Sequence, residues 1–145
     1  MALDTIEPGS AVVNAANQPD LRGNLFPVAD EMDVADCVVT GDLPEGLRGS
    51  FVRNGPNPAF EPIGGYHMFD GDGMLHGVTF DDGRVSYRNR WIQSKGLLAE
   101  RRNGRAIYPG LGEVMEFPSE ELTGDAGPVK NPANTHIIRL SLIHI

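Results

Sequence analysis

The chain has very little cysteine, the residue that forms disulfides and ligates many structural metal ions. Its 145 residues include one cysteine, Cys37, so neither an internal disulfide nor a cysteine-rich zinc site is possible. We interpret Cys37 as a small core or strand side chain, because a nucleophilic cysteine needs a partner that the sequence does not offer.

Positive charge and long apolar runs are also scarce. The 12 Lys and Arg residues face 20 Asp and Glu residues, for a net charge of −8, which disfavours nucleic acids and anionic membranes as partners. No apolar run reaches the roughly 18 residues of a membrane span. The first residues lack the basic and apolar regions of a signal peptide and are too acidic for a transit peptide. We therefore expect a cytoplasmic protein without a transmembrane segment.

Glycine and proline, by contrast, are abundant. The chain has 18 Gly and 11 Pro, above the ordinary share of roughly 12% but below the roughly 25–30% that signals disorder. Such a composition indicates many turns between short elements and predicts an all-β fold over a helix bundle.

The clearest structural pattern is a hairpin. Apolar and polar side chains alternate along residues 74–80 and again along 85–91, as in half-buried strands. Between them stands the pair Asp82-Gly83, which suits the positive φ angles of a tight hairpin turn.

Other segments give weaker patterns. Short strands are predicted at 37–40, 51–53 and 134–140, and the prolines of 54–58 are expected to end the second of these. Residues 96–105 fit either a short helix or an irregular loop. The acidic, Gly/Pro-punctuated stretch 113–127 is predicted to be a long loop, and residues 1–23 a flexible arm. Because isolated hairpins leave open edges, the chain resembles a part of a repeated β architecture.

Two loop motifs have features of ligand-binding sites. Asp-Gly-Asp-Gly at 70–73 suggests a calcium loop, but Met74 and Leu75 stand where an oxygen ligand and a glycine are needed. The spacing of Gly71, Gly73 and Gly77 is one residue off the dinucleotide pattern and opens a strand, so no helix N-terminus meets a phosphate. Turn glycines and local Asp-to-backbone hydrogen bonds explain these residues better.

Histidines and arginines leave two further hypotheses open. His67, His76 and His136 are chemically suitable metal ligands, but their apolar neighbours favour structural histidines on a core face. The basic residues Arg53, Arg88 and Arg90 are expected either to pair with acidic residues or, less favoured, to hold an anionic substrate; the acidic candidates are Asp70, Asp72, Asp81 and Asp82.

The central sequence resembles the N-terminal signature of the carotenoid oxygenase family, the carotenoid, apocarotenoid and stilbene cleavage dioxygenases. The resemblance extends over residues 24–139 and includes Gly-Asp-Leu-Pro-Glu-Gly-Leu-Arg-Gly at 41–49, the continuation at 82–91, and Asn-Pro-Ala-Asn-Thr at 131–135. The signature residues themselves, which we expect to be structural, are Arg53, Asn54, Gly55, Pro56, Asn57, Pro58, His67, Phe69, Asp70, Gly71, Asp72, Gly73, Met74 and His76.

The resemblance implies an incomplete N-terminal portion of a seven-bladed β-propeller, built from antiparallel hairpins with long loops. It implies an Fe(II) held by four histidines, O₂ as co-substrate and a hydrophobic substrate cleaved into two carbonyl products, with peripheral membrane contact possible for the parent. In the family the ligand histidines follow the matched region, so no residue of this chain is assigned as catalytic, cofactor-binding or metal-ligating.

The end of the chain departs from the family pattern. Residues 140–145 resemble translated sequencing-adapter sequence, and we expect them to be a non-native tail on a truncated product. Alternatively, the chain is a catalytically inactive β fragment or a small β-binding module without metal.

Overall fold

A four-stranded antiparallel sheet forms the centre of the computed structural model, which describes residues 18–113 and 117–139. Its strands lie in the order β1-β4-β3-β2, and the prediction of antiparallel β structure is confirmed. The strands are β1 (Asp33–Val34), β2 (Arg48–Pro56), β3 (Gly73–Asp81) and β4 (Arg84–Trp91).

The predicted hairpin is β3 and β4. Phe80 pairs with Val85 and Asp81 with Arg84, so two residues make the turn. Asp82 and Gly83 have φ angles of 50° and 83°, the positive values that a tight primed turn requires. The Asp-Gly pair therefore sets the register of the whole hairpin.

β2 is longer than the sequence predicted. The prolines at 54–58 were expected to stop the strand after Arg53, yet pairing with β3 continues to Pro56, opposite Gly73. Pro56 is tolerated because β2 is an edge strand, where one side of the backbone needs no ladder partner.

The predicted strand at 37–40 is wrong. The short edge strand lies earlier, at β1, where Asp33 pairs with Arg88. Cys37 still donates its backbone N–H to Val85 O at 2.7 Å, but the next side chain, Val38, is 96% exposed. This single hydrogen bond does not extend the strand ladder. The β-branched residues that suggested a strand therefore turn away from the edge of the sheet. Cys37 is half-buried and free.

The predicted strand at 134–140 is also wrong for its described part, 134–139, which has no strand; Leu140 lies outside the described residues. Ile138 is 67% exposed, and Asn134 directs its side chain back to the loop at 69–71. Strand propensity alone gives no strand where no partner strand is available.

Two helices follow the sheet. α1 (Lys95–Asn103) begins after Ser94, whose Oγ accepts a hydrogen bond from Leu97 N at 3.2 Å, and ends at Gly104 with φ 65°, so a capped helix replaces the open choice at 96–105. The stretch predicted as a long loop is not wholly irregular: it contains α2 (Glu120–Thr123) and a 3₁₀ turn (Gly124–Ala126), after another at Leu111–Glu113. An earlier 3₁₀ turn spans Gly23–Leu25.

The core has two small clusters around α1. The first joins the sheet to the helix, and the second joins the helix to the chain that follows it. Their buried members are Ala59, Phe60, Met74, Trp91 and Leu97 in the first and Ala99, Ile107 and Tyr108 in the second.

Both predicted terminal segments fall largely outside the described residues. Residues 1–17 and 140–145 lie outside them. Within the remainder of the predicted arm, Gln18 and Leu21 are buried, and Gln18 Nε2 donates to Gly64 O at 2.8 Å. Over the described chain, none of the helices has both the length and the apolar character needed to cross a membrane.

Candidate functional site

The signature residues meet where β2 ends and β3 begins. Asn57, just after β2, donates its backbone N–H to Asp72 O at 2.7 Å. Gly71 fits between them, because a Cβ there would lie 2.9 Å from Asn57 N and 2.7 Å from Tyr66 Oη. The loop needs glycine at this position for close approach.

Asn57 is the hydrogen-bonding centre of the motif at 53–58. Its buried side chain accepts from Val28 N at 2.7 Å and donates to Val28 O at 2.9 Å, and its carbonyl accepts from Trp91 Nε1 at 3.3 Å. Asn57 thereby connects the segment around Val28, which precedes the sheet, with the end of β4.

Asp70 organises the loop before β3. Its Oδ2 accepts from His67 N at 3.1 Å and its Oδ1 from Leu111 N at 3.1 Å. A Cβ at Gly110 would lie 2.7 Å from Asp70 Oδ2. Asp70 thus caps two backbone segments through its carboxylate.

Asp72 instead belongs to a buried ionic cluster. Lys130 Nζ lies 2.7 Å from Asp72 Oδ1 and 2.5 Å from Glu100 Oε2, and the three side chains are 13%, 3% and 2% exposed for lysine, aspartate and glutamate. Asp72 Oδ2 also accepts from Ala59 N at 3.2 Å. Asp72 Oδ1 has no further hydrogen-bond partner, so the ammonium of Lys130 is what compensates it.

Burial and charge act against each other in this cluster. Burial raises the pKa of Glu100 above its ordinary value, and the neighbouring Lys130 opposes that rise only in part. Burial alone would lower the pKa of Lys130, but the carboxylates of Asp72 and Glu100 outweigh it and raise that pKa. Lys130 therefore stays charged and holds two acidic side chains from separate elements together.

The segment after Lys130 binds the loop before β3 and the first residue of β3. It does so through one backbone carbonyl and one side-chain amide. Pro132 O accepts from Gly73 N at 2.7 Å, and Asn134 Nδ2 donates to Gly71 O at 2.7 Å. A Cβ at Gly73 would lie 2.3 Å from Ala133 O. The Asn-Pro-Ala-Asn-Thr motif at 131–135 thus packs against the Asp-Gly-Asp-Gly motif at 70–73 and is hydrogen-bonded to it.

The histidines take separate structural positions. His67 Nδ1 accepts from Phe69 N at 3.2 Å, whereas His76, half-buried on β3, has its Nδ1 2.8 Å from Tyr87 Oη. Burial, and to a smaller degree the charge of Arg53, lowers the pKa of His76. His136 lies in the irregular segment at 134–139.

Iron does not fit the part of the chain that is described. Within residues 18–113 and 117–139, no three His, Cys, Asp or Glu side chains come together as a possible metal-ligand group.

The arginines pair differently from the sequence hypothesis. Arg88 and Arg90 both bind Asp33 of β1 and do not contact the predicted acidic residues. Asp81 and Asp82 pair instead with Arg48, at 3.8 and 3.0 Å. The cross-strand register decides these partners, because Asp33 lies directly opposite Arg88. Arg53 lies opposite His76.

A cleft of about 490 Å³ opens beside the buried ionic cluster. Proline, aromatic and aliphatic side chains form most of its wall, and the ionic cluster also lines it. Its lining includes Phe60, Ile63, Phe69, Tyr108, Phe117 and Val129 together with Asp72, Glu100 and Lys130. Tyr66 also lines it, and burial together with Asp70 and Asp72 raises the pKa of its hydroxyl to about 12.

Glu100 and Lys130 were not predicted from the sequence as members of a site. Neither belongs to a recognisable local motif, and each is separated from Asp72 by a stretch of other structure. Glu100 had one available signal, since this acidic residue directly follows the apolar residues Leu97, Leu98 and Ala99. Asn89 was likewise expected only as part of a strand, yet it is fully buried and binds the backbone of Asp30 and Met32.

A family model described as "RPE65: Retinal pigment epithelial membrane protein" matches residues 25–142. The chain belongs to this family. Two curated relatives of this RPE65-family chain connect it with the carotenoid oxygenases. A carotenoid 9,10(9′,10′)-cleavage dioxygenase of Crocus sativus is 51% identical over 98 residues, covering 67% of the chain and 18% of that protein. Carotenoid 9,10(9′,10′)-cleavage dioxygenase 1 of Arabidopsis thaliana is 46% identical with the same coverage. The predicted family membership is confirmed, and the family is one of oxidoreductases.

Solved structures agree with this family membership. Lignostilbene dioxygenase of Pseudomonas brassicacearum is 37% identical with a TM-score of 0.61, covering 63% of the chain and 20% of that protein. A cobalt-substituted Synechocystis apocarotenoid oxygenase is 34% identical with a TM-score of 0.52, covering 59% and 18%. The RPE65-family chain therefore spans about a fifth of the length of the relatives it matches.

One further relative bears on the cellular compartment. The probable carotenoid cleavage dioxygenase 4 of Arabidopsis thaliana, chloroplastic by name, is 40% identical over 92 residues, covering 63% of the chain and 16% of that protein. The predicted cytoplasmic location is therefore not confirmed for this RPE65-family chain.

Proposed function

We propose that this chain is a fragment of an Fe(II)-dependent dioxygenase. The parent protein would cleave a double bond of a carotenoid, apocarotenoid or stilbene-type substrate with O₂ and give two carbonyl products. The observation that carries the proposal is the family match together with relatives named for cleavage of these compounds. The cobalt-substituted relative supports a metal-dependent reaction, with iron ligands outside the described residues.

Within the parent, the chain would supply the first part of a seven-bladed β-propeller. A four-stranded antiparallel sheet is the size of one propeller blade. On the edge strand β2, the successive residues Phe51 and Val52 point to opposite faces and are 64% and 47% exposed. Apolar surface on both faces supports packing between two neighbouring sheets.

The proposed role of the signature residues is structural. They join β2, the loop at 66–72 and the segment at 130–134 around Asn57 and Asp72. No catalytic, cofactor-binding or metal role is proposed for them. A cytoplasmic location and a peripheral membrane contact of the parent also belong to this proposal.

The decisive experiment is to sequence the genomic DNA beyond the codon for Arg139 and to express the complete reading frame. We expect a long continuation with four additional histidines, iron in stoichiometric amount by elemental analysis, and carbonyl products from a carotenoid, an apocarotenoid or a stilbene. A complete frame that binds no iron and cleaves none of the three would contradict the proposal.

A second candidate, an inactive fragment or small β-binding module, is favoured by the lack of a three-residue ligand group in the described chain. A genomic stop codon directly after Ile145 would support it. Stoichiometric iron in the purified 145-residue chain would contradict it, because it would place a complete ligand set within this chain.

A further inference from the structure

Residues 128–134 form an irregular segment that borders the cleft, and we call this segment the strap. It has no helix or strand of its own. Tyr108 Oη donates to Gly127 O, just before the strap, at 3.1 Å. The cleft wall that the strap supplies consists of Pro128, Val129, Lys130, Pro132 and Asn134.

Lys130 is the main attachment of the strap to the body of the protein. Its ammonium binds Asp72 of the loop and Glu100 of α1. Its aliphatic stem lies against α1 at Gly96, where an added Cβ would be 2.8 Å from Lys130 Cγ. One side chain thus joins three segments, and a glycine in the helix leaves room for it.

The remaining attachments are hydrogen bonds to the start of β3, to β2 and to the loop before β3. Gly73 N donates to Pro132 O at 2.7 Å, Asn54 Nδ2 donates to Ala133 O at 2.9 Å, and Asn134 Nδ2 donates to the same loop. These bonds can break without loss of any β3–β4 ladder bond.

We propose that the strap closes one side of the cleft and that Lys130 holds it in place. The strap detaches as a local unit while the sheet stays folded. Detachment removes one wall of the cleft. The physical basis is that regions outside the ladder open at lower free energy than the sheet, whereas a buried lysine shared by two carboxylates strongly resists separation. The proposal concerns these contacts alone and does not depend on the proposed iron chemistry.

Hydrogen exchange of individual amides tests the proposal in the 145-residue chain. The Gly73 amide reports strap detachment through its bond to Pro132 O, and the β3–β4 ladder amides report the sheet. In the wild type, Gly73 should exchange at a lower free energy and with a weaker urea dependence than the β3–β4 ladder amides, and Lys130→Met should accelerate exchange at Gly73 by about tenfold or more. The control is Lys95→Met, since Lys95 pairs with Asp125 at 2.9 Å on the surface; it should change neither.

Gly96→Ala gives an independent test if Lys130→Met does not fold. Alanine is a better helix former than glycine, so α1 itself should become more protected. The new Cβ should nevertheless displace Lys130 and accelerate exchange at Gly73. Unchanged exchange at Gly73 in both variants would overturn the strap proposal. So would wild-type exchange at Gly73 with the same free energy and urea dependence as the ladder amides, because Gly73 would then open only with the sheet.

Discussion

Asp72 Oδ1 lies 2.7 Å from Lys130 Nζ in an ion pair whose aspartate side chain is 3% exposed. The pair connects the loop before β3 with a segment much later in the chain. Both partners also bind other groups, Asp72 at Ala59 N and Lys130 at Glu100. Removing one charge therefore leaves a buried opposite charge with fewer partners, which is more costly than losing a surface pair.

Asp72→Asn should lower the free energy of unfolding by about 3–5 kcal/mol, the usual cost of breaking a buried pair. Urea unfolding followed by circular dichroism measures the change. The matched control is Asp81→Asn, because Asp81 is 75% exposed and 3.8 Å from Arg48; it should have little effect. Equal free energies of unfolding for the two variants would show that the buried ion pair of Asp72 stabilises the chain no more than the exposed ion pair of Asp81.

Asn57→Ala should lower the free energy of unfolding by about 2 kcal/mol or more, since the backbone N–H and C=O of Val28 both lose their partner. The same unfolding measurement applies. Asn24→Ala, at an exposed position, is the control. If both substitutions cost the same, the Asn57 hydrogen bonds are replaced by water without loss.

Two glycines of β3 make a paired test of close approach. Gly73→Ala should destabilise the chain by about 1–3 kcal/mol through overpacking, because its Cβ would lie 2.3 Å from Ala133 O. Gly77→Ala, whose Cβ would meet Arg88 O at an ordinary 3.8 Å, should be tolerated. Thermal unfolding compares them, and the reverse order of stability would contradict the packing of the loop against residues 132–133.

His76 should make stability pH-dependent below neutrality. Its pKa in the folded chain is lowered by burial and by Arg53, so the unfolded chain takes up a proton first. The contribution is present above the ordinary histidine pKa of about 6.5 and is lost as the pH falls through the lower folded value. Urea unfolding between about pH 4 and 8 should show this loss in the wild type and less of it in His76→Gln. Parallel curves for the two proteins would contradict the assignment.

Local sequence patterns predicted the elements whose stabilising contacts are close along the chain. Alternation at 74–80 and 85–91 with Asp82-Gly83 between them predicted the hairpin, because register and turn geometry are both local. The strand predictions at 37–40 and 134–140 failed for the opposite reason. β-branched residues give propensity, but a strand needs a partner that local sequence does not specify.

The sequence by itself determined the family, since family membership depends on residue types in a fixed order. Only the tertiary structure decided that Asp70 caps two backbone segments whereas Asp72 holds Lys130 and Glu100. The two aspartates stand in the same short motif, so their different roles come from partners brought in from distant positions. Likewise, the identity of Asp33 as the partner of Arg88 followed from strand register, which is a property of the assembled sheet.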